Sequence, residues 1–222
     1  MSDAGYELDD PRPIRREAPY TFYLPGNEQL EEVAAGVLVQ LIFRAVPPTE
    51  TYGAERMWVE VDHRDGEVLS GVLDNEPVDI PGLARGDRVA FRLHHIIDID
   101  WDDPAQKERF RTDFNNWFAR CFVDKAVLEG RARAGFLYRE QPEHKESDRY
   151  PDTGWRIRAD VDELSDEEYN ENPSPSYVAI GAVLNRDDSF VDLLSAPVGS
   201  AFLRGEGNNY EPTDLELDED EG

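Results

Sequence analysis

Cysteine occurs once in these 222 residues, lysine three times, and no apolar run approaches the length of a membrane span. Each scarcity excludes something. With Cys121 alone, no internal disulfide can form, and a reducing compartment fits the usage best. The longest apolar segment, Val37 to Val46, is broken by Gln40 and Arg44, well short of the ~20 apolar residues a spanning helix needs. The opening stretch MSDAGYELDDPRPIRRE lacks the apolar core of a secretion signal and is acidic where such a signal is basic. A cytoplasmic protein without membrane contact is the expectation.

Catalytic signatures are missing as well. The sequence contains no Gly-rich phosphate loop, no Gly-x-Ser-x-Gly elbow, no His-Glu-x-x-His and no Cys-x-x-Cys. His94, Asp98 and Asp100 would share one face of an extended strand, but that spacing, with no further ligand cluster, is weak for a metal; an ordinary strand end with solvated acids is the preferred reading. Cys121 sits in the apolar stretch CFVDKAVL without a local base and reads as a small core residue. The expectation is no enzyme, no cofactor and no metal.

Acid is what the chain has in abundance. There are 49 acidic and 23 basic residues, a net charge of −26. That balance repels nucleic acid and anionic lipid and attracts basic partners. By blocks the net charge is −13 over 1–103, +3 over 104–158 and −16 over 159–222. The central cations include Arg109, Arg111, Arg120, Arg131 and Arg133, and pairing with neighbouring acids is their expected use.

Pattern divides the chain into a mobile arm (1–18), a small β-rich domain (19–103), a linker helix (104–119), an α+β domain (120–205) and a disordered acidic tail (206–222). In the β-rich part, Tyr20 to Leu24, Val37 to Val46 and the alternating Glu55 to Val61 read as strands. Met57, Val59 and Val61 share one face, with Trp58 on the other. Asp65-Gly66 is a hairpin signal, returning through Glu67 to Leu73. Short strands between turn signals predict a curled, barrel-like sheet. Asp102 and Asp103 before Pro104 start a helix whose Phe110, Phe114, Trp117 and Phe118 form one apolar face. Beyond it, Cys121 to Leu128 and Ala132 to Glu140 read as a hairpin turned at Glu129-Gly130, followed by strands at Gly154 to Ala159 and Tyr177 to Leu184. Asp187 or Asp188 should cap a helix, and Ser200 to Leu203 forms a last strand. The whole is α+β.

One cluster is singled out. Asp160, Asp162, Glu163, Asp166, Glu167, Glu168 and Glu171 put seven carboxylates in twelve residues with no base among them, framed by Trp155, Tyr169 and Tyr177. One reading is a solvated face. The other is a docking surface, where carboxylates steer a basic partner and aromatics such as Tyr169 anchor it.

Several motifs in the second half are similar to a known family: Cys121-Phe-Val, Val127-Leu-Glu-Gly, Gly135-Phe-Leu-Tyr-Arg-Glu, Asp152-Thr-Gly-Trp-Arg, Asp166-Glu-Glu-Tyr169, Val183-Leu-Asn185 and Ser195 to Phe202. Together they resemble an immunity protein family of bacterial polymorphic toxin systems, whose hallmark is Asp-Ser-Gly-Trp. Thr153 stands here in place of its serine, and Asp124 departs from the usual opening. Arg56-Met-Trp-Val-Glu-Val, Gly71-Val-Leu-Asp-Asn-Glu-Pro and Gly86-Asp87 resemble a second bacterial domain family of unknown function. The first resemblance implies a partner, a cognate toxin, and supplies no catalytic residues. An accessory or regulatory protein-binding module without a toxin is the alternative.

Overall fold

The structure is a computed structural model, described over residues 5–111, 115–143, 149–165, 167–168 and 174–214. It divides into two compact units, Met1–Thr112 and Asp113–Gly222. The fold class is mixed α+β.

Unit 1 runs β1 (Tyr6–Leu8), α1 (Arg12–Glu17), α2 (Asn27–Glu32), β2 (Leu38–Ala45), β3 (Ala54–Asp65), β4 (Val68–Leu73), β5 (Arg88–Arg92), β6 (Asp98–Asp100) and α3 (Pro104–Arg109). Neighbours follow the order β1-β2-β3-β4-β5, with β6 also on β2, and every pairing is antiparallel. The sheet curls until it is nearly closed. Alternation explains its inside: Val39, Leu41 and Phe43 meet Met57, Val59 and Val61, with Leu69, Leu73, Val89 and Phe91 completing the buried cluster. The Asp65-Gly66 signal works as read, with Gly66 at φ +60° and Asp65 paired to Val68. Arg64 at this hairpin also donates to the carbonyls of Leu30, Glu31 and Val33 at 2.9, 3.1 and 2.6 Å, satisfying the open C-terminal end of α2.

Three expectations fail in this unit. The arm is built into the fold: β1 pairs Tyr6 with Ala45 and Leu8 with Phe43, and Arg44 clamps Asp9 at 2.6 Å. Ile14 and Ala18, on and after α1, cover a second small cluster of Phe22, Ile42 and Ile97. Tyr6, Leu8 and Ile14 supply the apolar contacts that make ordering worthwhile. Tyr20 to Leu24 is not a strand; Phe22 packs as irregular chain into that cluster. The linker helix is not one helix: α3 starts as expected, with Asp103 accepting from the Ala105 N–H at 3.0 Å, but ends at Arg109. Phe110 turns onto Trp101 (ring centroids 5.3 Å) within unit 1, whereas Phe118 stacks on Tyr150 (5.5 Å) within unit 2. Phe114 lies outside the described residues.

Gly71 provides a test of this sheet. It stands opposite Val61 on β3, and a Cβ there would lie 2.3 Å from the Glu60 carbonyl oxygen and 2.7 Å from Val59 Cγ1. Backbone on one side and a buried side chain on the other leave little to yield. Gly71→Ala should therefore lower the urea midpoint of unit 1 by an amount equivalent to ~1–3 kcal/mol. An unchanged midpoint would mean the two strands are not this close.

Unit 2 runs α4 (Asn115–Phe118), β7 (Arg120–Val123), α5 (Lys125–Leu128), β8 (Ala134–Arg139), β9 (Asp152–Ala159), a 3₁₀ turn (Val161–Glu163), β10 (Ser176–Ala179), α6 (Ile180–Leu184), a second 3₁₀ turn (Val191–Ser195), β11 (Ala201–Arg204) and β12 (Tyr210–Thr213). The sheet order is β10-β7-β9-β8-β11-β12. β7 and β9 are parallel, and the other pairs are antiparallel.

The expected hairpin of 121–128 with 132–140 does not form, because β9 occupies the place beside β7. Asp124 is the reason. Its N–H donates to the Ile157 carbonyl at 3.0 Å, and its carboxylate accepts from the Ala159 N–H at 3.0 Å and Arg158 Nη1 at 2.9 Å. That anchors the end of β7 to β9 and turns the chain into α5, whose Ala126 and Val127 are buried. Likewise 177–184 is a strand only to Ala179, then a helix burying Ile180, Val183 and Leu184. Neither Asp187 nor Asp188 caps a helix; Phe190 precedes the turn Val191–Ser195. The segment expected as tail contributes β12, which pairs Tyr210 with Arg204 and Thr213 with Ala201. Residues 215–222, including most of the acidic run, lie outside the described residues.

Candidate functional site

The Asp-Thr-Gly-Trp segment opens β9, and its side chains are occupied in holding the sheet. Asp152 accepts from Arg156 Nη1 and Nη2, both at 3.1 Å, from the Gly154 N–H at 3.0 Å and from the Glu143 N–H at 3.1 Å. Burial alone would raise this carboxyl, but Arg156 and the backbone donors outweigh it and hold Asp152 below the usual carboxylate range. Glu140 closes the other edge of Arg156 at 2.8 Å. Thr153 Oγ1 donates to the Arg120 carbonyl at 2.8 Å, a bond that the family's serine hydroxyl would make equally well. Gly154 has φ +80°, and a Cβ there would lie 2.2 Å from the Glu140 carbonyl oxygen, so glycine is required twice over. Trp155, Ile157 and Ala159 face the core together, as alternation predicts. Trp155 is 1% exposed and therefore frames no surface lobe.

The acidic lobe begins where β9 ends. Asp160 is half-buried and caps the 3₁₀ turn, accepting from the Asp162 N–H at 3.2 Å. Asp162 is exposed. Glu163 accepts from the Arg133 N–H at 2.7 Å and from its Nε at 2.5 Å. Glu167 is exposed, and Glu168 holds Ser165 and Arg131. Ser165 and Glu168 form a reciprocal capping box: the carboxylate accepts from Ser165 N–H at 3.0 Å, and Ser165 Oγ accepts from Glu168 N–H at 3.3 Å. The Ser-x-x-Glu spacing carries that signal in the sequence. Asp166, Tyr169 and Glu171 lie outside the described residues.

Two of the lobe's carboxylates are therefore already matched. Hydrogen bonds from Arg133 hold Glu163 below its ordinary range, and those from Ser165, with Arg131 adding to them, do the same for Glu168. The twelve-residue window contains no base, but Arg131 and Arg133 reach it from the chain before β8. Among the described residues, Asp162 and Glu167 are the lobe's exposed acids without an ion pair. Tyr177, on the edge strand β10, is 42% exposed and packs its ring 4.8 Å from that of Phe122.

The other candidates resolve simply. His94 and His95 lie in a short 3₁₀ turn rather than a strand, with His95 Nδ1 accepting from the Arg92 N–H at 3.2 Å. Among the described residues no group of three His, Cys, Asp or Glu side chains is arranged to hold a metal ion. Cys121 is fully buried, and burial pushes its thiol up to about 12, which leaves no thiolate at neutral pH. Of the central cations, Arg109 binds Glu28 and Glu32, Arg111 binds Glu108, Arg131 binds Glu129 and Glu168, and Arg133 binds Glu163. Arg120 lies instead over the Tyr150 ring. No helix among the described residues is long and apolar enough to cross a membrane.

With this geometry in hand, the chain compares with known families as follows. Residues 121–214 match the immunity protein Imm33 domain, and residues 27–109 match DUF2314, an uncharacterized protein conserved in bacteria. Both resemblances seen in the sequence are thereby found, in the same order along the chain. The first match runs past residue 205 to 214 and so takes in β12. No match was found among curated proteins or among solved structures.

Proposed function

We propose that this chain is an immunity protein that binds a cognate bacterial toxin domain and neutralises it without catalysing a reaction. The observation that carries the reading is the immunity-domain match over residues 121–214, on a unit whose hallmark side chains are all engaged in the fold. Such residues build a rigid scaffold, and a rigid surface is what tight capture of a partner requires. The net charge of −26 supports a basic partner, since complementary charge speeds encounter.

The acidic lobe is the proposed first point of encounter, with Asp162 and Glu167 as its leading charges. Glu163 and Glu168 are screened by Arg133 and Arg131 and shape the lobe. Replacing Asp162 and Glu167 with lysine should slow association several-fold while leaving the dissociation rate and the melting temperature nearly unchanged. Raising salt should reproduce the effect on the parent protein, because the screening length is only ~8 Å at physiological ionic strength. The test is surface-based kinetics against a cognate toxin domain, found by gene neighbourhood or pull-down, at low and high salt. Equal association rates for parent and variant at both salts would reduce the lobe to a solvated face.

A further inference from the structure

Unit 2 contains a half-open cleft of about 720 Å³ beside the buried tryptophan. Trp117, Tyr150 and Trp155 line it together with Ile180 and Leu194, and Arg139 and Arg149 join them, so its walls combine flat apolar groups with cations. Its size lies within the ~300–1,000 Å³ typical of ligand clefts.

The cations around it share one feature. In the same unit Arg131, Arg133, Arg156, Arg158 and Arg204 each hold a carboxylate. Arg120, Arg139, Arg149 and Arg186 hold none among the described residues, although acids outnumber bases by 49 to 23. Three of these four gather here, Arg186 lying at another hollow: Arg120 and Arg149 lie 5.6 and 5.3 Å from the Tyr150 ring centre, and Arg139 lies 5.7 Å from that of Trp155. Cation–π contact alone is weak at exposed sites, little reason to keep three guanidiniums from so many carboxylates. Arg139 is also preorganised. Its Nε donates to the Thr153 carbonyl at 3.0 Å and its Nη1 to the Ala196 carbonyl at 2.6 Å, which fixes the plane and leaves Nη2 to spare. A guanidinium immobilised against an aromatic wall is the arrangement that recognises an oxyanion beside a flat group.

We propose that this cleft binds a monocarboxylate carried on a flat apolar group, with Arg139 and Arg149 holding the carboxylate and Trp117 and Tyr150 the apolar part. A single negative charge is favoured over a phosphate dianion, because every further charge meets the field of a chain at −26. This assignment stands independently of the toxin reading. The carboxylate belongs either to a free small acid or to the end of a partner chain, and the two sources are separable.

The probes are phenylacetate and phenylacetamide, which share a shape and differ in charge. Quenching of intrinsic fluorescence reports binding directly, since two tryptophans line the cleft. Phenylacetate should bind saturably and at least tenfold more tightly than the amide. Arg139→Gln should erase that preference. Arg149→Gln, at an exposed position that leaves the fold intact, should weaken phenylacetate several-fold and the amide hardly at all. A free-acid peptide, N-acetyl-Gly-Phe, binding tenfold tighter than phenylacetate identifies a chain end as the natural occupant; equal or weaker binding identifies a small acid. Acid and amide bound alike, no saturation by about 10 mM acid, or an Arg149→Gln variant with unchanged affinity would each overturn the proposal.

Discussion

Truncating Trp155 to alanine should cost unit 2 about 3–5 kcal/mol, as aromatic truncations in packed cores do. The indole is 1% exposed, sits 6.4 Å from the Phe202 ring, donates from Nε1 toward the Leu194 carbonyl at 3.4 Å and carries the Arg139 guanidinium on its face. No neighbour is placed to collapse into the space it would leave, because β8, β9 and β11 are fixed by their ladders. Since whole domains are stable by only ~5–15 kcal/mol, the variant should be marginal at 37 °C. Guanidinium unfolding of Trp155→Ala and Trp155→Phe checks this, with phenylalanine expected to recover much of the loss. A Trp155→Ala protein with the parent midpoint would place this residue on a surface instead.

A loss of similar size is expected for Arg204→Leu, for an electrostatic reason. The Arg204 side chain is 2% exposed and its partner Asp187 10%. Arg204 Nη2 binds Asp187 at 2.5 Å and Ser189 Oγ at 2.8 Å, and Nε donates to the Ala134 carbonyl at 2.8 Å, where the Tyr210 hydroxyl also donates at 2.7 Å. This network clips the β11–β12 pair to the turn before Phe190. Removing the cation strands a buried carboxylate, at a cost of about 3–5 kcal/mol, whereas removing both partners with apolar replacements should cost clearly less. Burial would raise Asp187, but donors from Ser189 and Ala134 and the Arg204 charge prevail and hold it below its ordinary value of 3.8. A carboxylate depressed in the folded state stabilises above its unfolded pKa, and that contribution disappears as pH falls through the folded one. The parent should thus lose stability as pH drops below about 4, and the Asp187→Asn/Arg204→Leu pair should lose less over that window. Urea midpoints measured between pH 2 and 6 decide it; identical acid limbs in both proteins would contradict the network.

Much of unit 1 was legible because its strands alternate. Met57, Val59 and Val61, the Asp65-Gly66 turn and the Asp103 cap are local signals with local outcomes. The failures arose where local signals are degenerate or the cause is distant. Lys125 to Leu128 and Ile180 to Leu184 are short apolar runs that suit strand or helix equally. Asp124, whose bonds to the far end of β9 decide the first case, looks like an ordinary surface acid in sequence. The parallel pairing of β7 with β9 has no local trace. Of the lobe, the sequence showed the acids but not Arg131 and Arg133, which reach Glu168 and Glu163 across 37 and 30 positions. The Ser165-x-x-Glu168 box was readable and marks one of these acids as a capping residue. The Asp-Thr-Gly-Trp segment pointed to the family whose model matches residues 121–214, yet nothing local says that its side chains serve the fold.

The central claim is neutralisation, and survival measures it most directly. Cells expressing a cognate toxin domain, found by gene neighbourhood or pull-down, with and without the full chain, should differ by orders of magnitude in colony count. The chain and toxin should also co-elute as a complex of fixed stoichiometry. Equal killing in both strains, with toxin and chain both soluble and no complex between them, would contradict the immunity reading.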